Sequence, residues 1–177
     1  EPLMYQTEIL KGGSEIVERI SREWSALCDE GASNVPFLRP EWFAAFIQNF
    51  ETVIELVTVR RNGRLRAVLP IVAKRSHLHG ISAKNLQAVY NLNTQRFDLI
   101  HGSDESEKKD ILQSIWNVIK NHEKWSVIEL RLVRSDSWLA SLVELAGDES
   151  FRTGIWKMDG APFIRLPNID GPRPSIN

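Results

Sequence analysis

Apolar residues follow two different periods along the chain, and their alternation predicts the order of strands and helices. Residues 3–10 suit a short strand. From Ser14, a candidate N-cap, apolar residues recur at the spacing of one helical face until Gly31 ends the pattern, and Pro40 begins a second helix after a turn. The first face comprises Ile16, Val17, Ile20, Trp24, Leu27 and Cys28, and the second comprises Trp42, Phe43, Phe46 and Phe50.

A hairpin is predicted after the second helix. Asn62-Gly63 separates two apolar runs, at residues 53–61 and 64–74, and favours a tight turn because both residues tolerate positive φ. Further strands are predicted within residues 85–92, 97–101, 126–133, 151–158 and 162–166, and a further helix over residues 135–145.

A helix between these strands begins at a capping box, Asp104-x-x-Glu107. Its apolar face comprises Ile111, Leu112, Ile115, Trp116 and Ile119. Antiparallel hairpins followed by strand–helix alternation predict an α/β (α+β) fold, a mixed sheet with helices on its faces. Residues 1–166 form one domain in this interpretation, and residues 167–177, which hold Pro and Gly but no apolar period, form a linker-like tail.

Composition narrows the classes of function. The 177 residues include 22 basic and 23 acidic residues, and this balance argues against a dedicated nucleic-acid binder. The single cysteine, Cys28, excludes an internal disulfide framework and fits a reducing compartment. Neither a membrane helix of roughly 20 apolar residues nor a signal peptide is recognisable. We therefore expect a soluble, cytoplasmic protein without membrane insertion.

The densest group of uncharged hydrogen-bonding side chains lies between two predicted strands, at residues 91–98. Amides, a hydroxyl and an Arg–Asp couple suit hydroxyl-rich ligands, which need directional donors and acceptors. In the alternative interpretation, the segment is an ordinary turn in which Arg96 pairs with Asp98. The candidate substrate-binding residues are Asn91, Asn93, Thr94, Gln95, Arg96 and Asp98.

Other candidates have weaker support. His77 and His79 are a candidate pair of metal ligands, but no third ligand lies near them in the sequence, so we predict no metal site. His101 and His122 are isolated, and Cys28 fits a buried structural thiol. A basic stretch indicates either an anion-binding surface or a solvated hairpin face. Its residues are Arg60, Arg61, Arg64, Arg66, Lys74, Arg75 and Lys84.

Five segments carry a family resemblance by their order and spacing: FLRPEWFAAF (37–46), GRLRAVLPI (63–71), RFDLI (96–100), WSVIELRL (125–132) and APFIRLP (161–167). Together they span most of residues 20–167, and they resemble the N-acetyltransferase (GNAT) superfamily. More specifically, they are similar to the N-terminal half of the tandem-GNAT, CelD-like acetyltransferases of cellulose and exopolysaccharide biosynthesis, relatives of the FemAB aminoacyl transferases. The resemblance implies a mostly antiparallel central sheet with helices on both faces.

The resemblance also implies acetyl-CoA as cofactor, with its diphosphate on the backbone N–H groups of a helix N-terminus. The usual family pattern there is Gln/Arg-x-x-Gly-x-Gly/Ala, whereas residues 101–107 contain one glycine. Asp104, Glu105 and Glu107 place three carboxylates at that helix start, and each like-charge contact costs roughly 1–4 kcal/mol. We therefore expect no cofactor-binding residue in this chain, and we assign acetyl-CoA to a second GNAT domain of the same protein.

These arguments predict part of a GNAT-type acyltransferase. The enzyme would move an acetyl or related acyl group from CoA to an amine or hydroxyl of a cell-envelope saccharide or precursor. This half would line the acceptor cleft and be inactive alone, and no catalytic residue is assigned. One alternative is a non-catalytic binding or interaction module on a GNAT-like fold. Another is a FemAB-like aminoacyl transferase, which only the basic stretch favours.

Overall fold

In the computed structural model, which describes residues 5–31, 35–78, 81–90, 94, 96–122 and 125–157, the described chain forms one six-stranded sheet with helices on both faces. The strands are β1 (Tyr5–Gly12), β2 (Ile54–Arg61), β3 (Arg64–Leu78), β4 (Ile81–Ala88), β5 (Ile100–His101) and β6 (Val127–Glu129). The helices are α1 (Ser14–Glu30), α2 (Pro40–Phe50), α3 (Lys108–Asn121) and α4 (Ala140–Asp148).

The strand order is β1-β2-β3-β4-β6, with β5 paired to β3. β4 and β6 are parallel, and the other pairs are antiparallel. This arrangement confirms the predicted fold class, a mixed and mostly antiparallel GNAT-like sheet.

The hairpin between β2 and β3 has the predicted turn. Asn62 and Gly63 have φ values of 52° and 76°, so both adopt the left-handed conformation that this dipeptide tolerates. β3 is longer than predicted and is shared between two strands: β4 pairs with its second half, and β5 pairs at Ala67 and Val68. β5 therefore brings the chain back to the sheet immediately before α3.

Two apolar cores lie on opposite faces of the sheet, because successive strand residues point to opposite sides. α1 and α2 cover one face, where Trp24, Phe43, Leu56 and Val68 are buried. α3 and α4 cover the other, where Ile115, Leu69 and Leu142 pack together. All the apolar positions predicted for α1 and α3 are buried. Among the described helices, none has the length and apolar character needed to span a membrane.

Two local predictions were wrong near the helix ends. Phe50, predicted as part of the buried face of α2, is 57% exposed, and Ile47 is buried instead. Phe50 lies on the same row of the helix as Trp42 and Phe46, which stack on one another and are only partly buried, so this row lies at the margin of the core. Gly13, rather than Ser14, is the N-cap of α1, and the Glu15 side chain accepts its backbone N–H.

The C-terminal third departs most from the predicted pattern. The strand predicted at residues 126–133 is reduced to β6, and the helix predicted at residues 135–145 begins only at Ala140. Residues 151–157, predicted as a strand, form no strand and leave Trp156 86% exposed. Apolar composition alone predicted that strand, and within the described residues this segment pairs with no strand of the sheet. The strand predicted at residues 162–166 lies outside the described residues.

Candidate functional site

Two backbone N–H groups just before α3, those of Ser106 and Glu107, already have acceptors within the chain. A short 3₁₀ turn, Glu105–Glu107, leads directly into α3. The Asp104 carboxylate accepts the Ser106 N–H at 3.0 Å and the Ser106 hydroxyl at 2.6 Å. The Glu107 N–H donates to the Asp104 carbonyl at 3.2 Å. Asp104 thus acts as the predicted cap, and these donors are not directed at an external anion.

Glu107 does not complete the predicted capping box, because its side chain turns inward and is 3% exposed. Its carboxylate accepts from Arg61 at 2.6 Å, from Arg66 Nε at 2.7 Å and from the Tyr5 hydroxyl at 3.3 Å. Burial raises the pKa of Glu107, but the hydrogen bonds and charges of Arg66 and Arg61 outweigh burial and lower the pKa overall. The expected repulsion from three bare carboxylates was therefore partly wrong, since one is neutralised by two arginines.

Two aromatic side chains, His101 and Trp138, pack against each other beside this helix start. The His101 ring stacks on Trp138, with centroids 3.7 Å apart and planes 13° apart. Trp138 Nε1 donates to Glu105 at 3.2 Å. Burial lowers the pKa of His101, whose Nδ1 lies 2.6 Å from the Gly102 carbonyl oxygen. His101 is thus packed as a core side chain.

These contacts do not fit a cofactor diphosphate at the start of α3. A diphosphate needs free N–H groups and a close approach of the backbone, yet the Ser106 and Glu107 donors are occupied. Gly102 does not have the geometry of a required glycine either, because a β-carbon there would have no neighbour closer than 3.8 Å. The start of α3 is therefore unsuited to a diphosphate for two reasons: its N–H donors are occupied, and it carries negative charge.

The predicted ligand-binding segment is only partly described: Asn91, Asn93 and Gln95 lie outside the described residues. Thr94 is 6% exposed. The Asp98 carboxylate accepts from Arg96 at 2.8 Å, from the Leu99 N–H at 2.9 Å and from the Ser137 hydroxyl. The structure therefore contains the Arg96–Asp98 pair of the turn interpretation, and the ligand-facing role stays a prediction.

Four arginines of the basic stretch, Arg60, Arg61, Arg64 and Arg66, are paired with glutamates. Arg60 binds Glu23 at 2.7 Å and Arg64 binds Glu30 at 2.7 Å, both on α1. Arg61 and Arg66 bind Glu107, as described above. The side chains of His77 and His79 lie outside the described part of the chain, and within that part no cluster of potential metal ligands occurs.

Cys28 matches its predicted role as a buried thiol. Its side chain is fully buried, and its Sγ lies 3.5 Å from the Leu38 carbonyl oxygen. Burial raises the pKa of Cys28 to about 11. A thiol that stays protonated is a poor nucleophile.

Sequence reasoning missed a buried acid–histidine pair. Glu55 on β2 is 1% exposed, and its carboxylate contacts His122 Nε2 at 2.8 Å and Lys11 Nζ at 3.0 Å. No sequence pattern indicates this pair, because 67 residues separate the acid from the histidine.

His122 lies at one end of a groove of about 630 Å³ between β1 and α3. Tyr5, Thr7 and Ile9 contribute from β1. Ser114, Asn117, Val118 and Asn121 contribute from α3.

Comparison with known proteins identifies the fold. No protein-family model matches the chain, and no curated protein matches it either. A solved ribosomal-protein-alanine N-acetyltransferase from Brucella melitensis biovar Abortus 2308 superposes with a TM-score of 0.51 at 14% identity, covering 89% of this chain and all of that one. A possible acetyltransferase from Clostridium difficile 630 gives 0.49 at 11% identity, over 90% and 99% of the two chains. An aminoglycoside N-acetyltransferase solved with CoA gives 0.39 at 10% identity, over 94% and 98%. The first of these likenesses shows that the chain has the acetyltransferase fold.

Proposed function

We propose that this chain is the N-terminal half of a GNAT-type acyltransferase of the tandem, CelD-like kind. In this proposal it lines the cleft for the acyl acceptor, an amine or hydroxyl of a cell-envelope saccharide or precursor. Acetyl-CoA binds a second GNAT domain of the same protein, joined through residues 167–177. A cytoplasmic location belongs to the proposal and is supported by the single, buried Cys28.

The contacts at the start of α3 support the assignment of acetyl-CoA binding to a second domain and of acceptor binding to this one. In a fold shared with an N-acetyltransferase over 89% of the chain, this helix start is the expected diphosphate site. Here Asp104 accepts the Ser106 N–H, and the Glu107 N–H is also bonded. This domain keeps the fold, but its own side chain and backbone acceptors occupy the N–H groups that a diphosphate would need. We therefore expect it to bind the acyl acceptor and not the cofactor.

The segment around Asp98 supports the acceptor-binding role. Arg96 Nε is buried and has no hydrogen-bond partner within the described residues, while the Arg96 Nη2 group is held by Asp98. A guanidinium held in place by Asp98 keeps further N–H donors, which suit a ligand hydroxyl or carbonyl. The substrate contacts proposed for Asn91, Asn93, Thr94 and Gln95 would extend this surface.

A non-catalytic module remains the second candidate, since the filled anion site favours it as well. The FemAB-like alternative stays a prediction, and it gains no support from Arg60, Arg64 and Arg61, which are engaged with Glu23, Glu30 and Glu107.

Calorimetric titration with acetyl-CoA distinguishes these functions. The 177-residue chain is expected to give no binding heat, whereas the product of the complete reading frame is expected to bind. Tight binding of acetyl-CoA by the 177-residue chain would overturn the proposal. No binding heat from either protein would favour the non-catalytic module instead.

A pair of variants tests the cause of the mismatch. Asp104→Gly removes the carboxylate that occupies the Ser106 N–H, and it is expected to gain weak binding of inorganic pyrophosphate. Asp104→Asn is the matched control, because it removes the charge but retains an acceptor for that N–H. Equal gains in both variants would show that charge alone excludes the anion, and no gain in either would contradict the occupied-donor argument.

A further inference from the structure

We propose that the groove between β1 and α3 is a binding site for a neutral, hydroxyl-rich ligand of saccharide size, held at one end by His122. The site goes beyond the proposed acyl transfer and does not depend on it. It lies along the later turns of α3, whereas the filled anion site lies at the first turn.

The pattern of α3 explains why a groove exists. Its apolar face is buried in the core, whereas Ser114, Asn117 and Asn121 are spaced three and four residues apart and form a second stripe beside it. This polar stripe faces Thr7 and its neighbours on β1, an edge strand of the described sheet. The side of the groove formed by α3 is therefore lined mainly by hydroxyl and amide groups.

The chemistry of the lining favours a neutral ligand. The groove is broad and open, with a volume of about 630 Å³, so a ligand would lie along its lining rather than be enclosed. No carboxylate, lysine or arginine is among its lining residues in the described chain. Tyr5, Ile9 and Val118 add apolar surface for the C–H faces of a sugar ring.

The polar side chains keep hydrogen-bonding capacity for a ligand. Ser114 donates its hydroxyl proton to the Asp110 carbonyl at 2.7 Å and so retains acceptor lone pairs. Asn121 Nδ2 donates to the Asn117 carbonyl at 2.7 Å, which leaves the Asn121 side-chain oxygen as an acceptor. The Asn121 amide nitrogen also keeps its second hydrogen, so the stripe offers a donor as well as acceptors, as a polyol requires.

The imidazole ring of His122 is held in position by its contact with Glu55. His122 Nε2 lies 2.8 Å from the Glu55 carboxylate. An ionised carboxylate can only accept, so in the neutral imidazole this contact places the proton on Nε2. The other nitrogen, Nδ1, is then an acceptor for a ligand hydroxyl. Burial of an ionised carboxylate costs several kcal/mol unless it is paired, and Lys11 at 3.0 Å provides the second partner. Glu55 acts on the ligand through His122 and is a positioning residue.

Nuclear magnetic resonance titration of the ¹⁵N-labelled chain with cellobiose and with N-acetylglucosamine tests the site. We expect saturable shifts at Thr7, Asn117, Asn121 and His122, and smaller or no shifts with glucose 6-phosphate at the same concentration. Shifts elsewhere, none at all, or a preference for the phosphorylated sugar would overturn the proposal.

Asn121→Leu and Asn49→Leu form a matched pair. Asn49 on α2 makes the same bond to the carbonyl four residues earlier, at 2.7 Å, but on the opposite face of the sheet. Losing one hydrogen bond should weaken saccharide binding roughly three- to ten-fold in Asn121→Leu, with no change in Asn49→Leu. Equal affinity in both variants would refute the site.

A second pair tests the orientation of the histidine. His122→Leu should lose binding, and His122→Gln should restore part of it, because an amide can donate to Glu55 and still accept from a ligand. Similar losses in both, with unchanged thermal unfolding, would contradict the orienting role of Glu55.

Discussion

Glu107→Gln removes one negative charge from beneath the start of α3 and leaves the size of the side chain nearly unchanged. The carboxylate binds Arg61 at 2.6 Å, Arg66 Nε at 2.7 Å and the Tyr5 hydroxyl at 3.3 Å. Its side chain is 4% exposed, against 28% for Arg61 and 15% for Arg66. The substitution therefore leaves two partly covered guanidinium groups without their counter-ion.

The magnitude follows from burial. Removing one partner of a buried ion pair costs roughly 3–5 kcal/mol. Here the arginines keep some contact with water, and glutamine still accepts one hydrogen bond, so we expect a loss of about 2–3 kcal/mol in the free energy of unfolding. For a domain of this size, the Tm should fall by roughly 5–10 °C.

The effect should depend on pH in a defined direction. The pKa of Glu107 lies below its usual value of 4.5 in the folded chain because Arg66 and Arg61 outweigh the opposing effect of burial. A lowered pKa in the folded state stabilises the fold above the pKa of the unfolded chain, and this stabilisation disappears as the pH falls through the folded-state pKa. The difference between wild type and Glu107→Gln should therefore be full at pH 7 and shrink below about pH 4.5.

Urea unfolding followed by tryptophan fluorescence at pH 7 and pH 4 measures both effects. Glu30→Gln is the control, because Glu30 makes the same kind of contact with Arg64 at 2.7 Å on the surface, with side chains 42% and 67% exposed. A surface pair contributes roughly 0.2–1 kcal/mol. Equal losses in the two variants, or a Glu107→Gln deficit that is as large at pH 4 as at pH 7, would refute the reasoning.

Two further predictions concern packing. Gly31→Ala should cost roughly 1–3 kcal/mol, because its β-carbon would overlap the His101 carbonyl oxygen, whereas Gly102→Ala, with no atom closer than 3.8 Å, should change stability by less than about 0.5 kcal/mol. Thermal unfolding of both variants checks this, and equal losses would contradict it. Cys28, buried and with a pKa raised to about 11, should react with Ellman's reagent only as the chain unfolds in urea. Rapid labelling of the folded chain would show that the helix opens locally.

Local patterns predicted the elements that bury a face with a regular period. The apolar positions of α1 and α3 recur every three to four residues, and all of them are buried. Asn62-Gly63 predicted its hairpin because the turn depends on the φ preferences of two adjacent residues. These features need little information from distant parts of the chain.

The same reasoning was less successful where an element depends on its neighbours. Residues 151–157 have strand-like composition but pair with no strand of the described sheet, and local composition does not determine strand pairing, which depends on distant parts of the chain. Phe50 was predicted to be buried by its spacing, yet its row on α2, shared with Trp42 and Phe46, lies at the margin of the core and leaves Phe50 exposed.

The sequence by itself determined the order of most helices and strands, the mixed sheet and the buried thiol, because hydrogen bonding within a helix or turn and the burial of one face act over a few residues. Only the tertiary structure decided the state of the charged groups. The sequence predicts Glu107 to be part of a helix cap, but its side chain is buried between arginines more than 40 residues away along the chain. His122 is isolated in the sequence, but its ring contacts Glu55, 67 residues away. An ionisable side chain takes its role from the charges and the solvent around it, and folding alone brings those together.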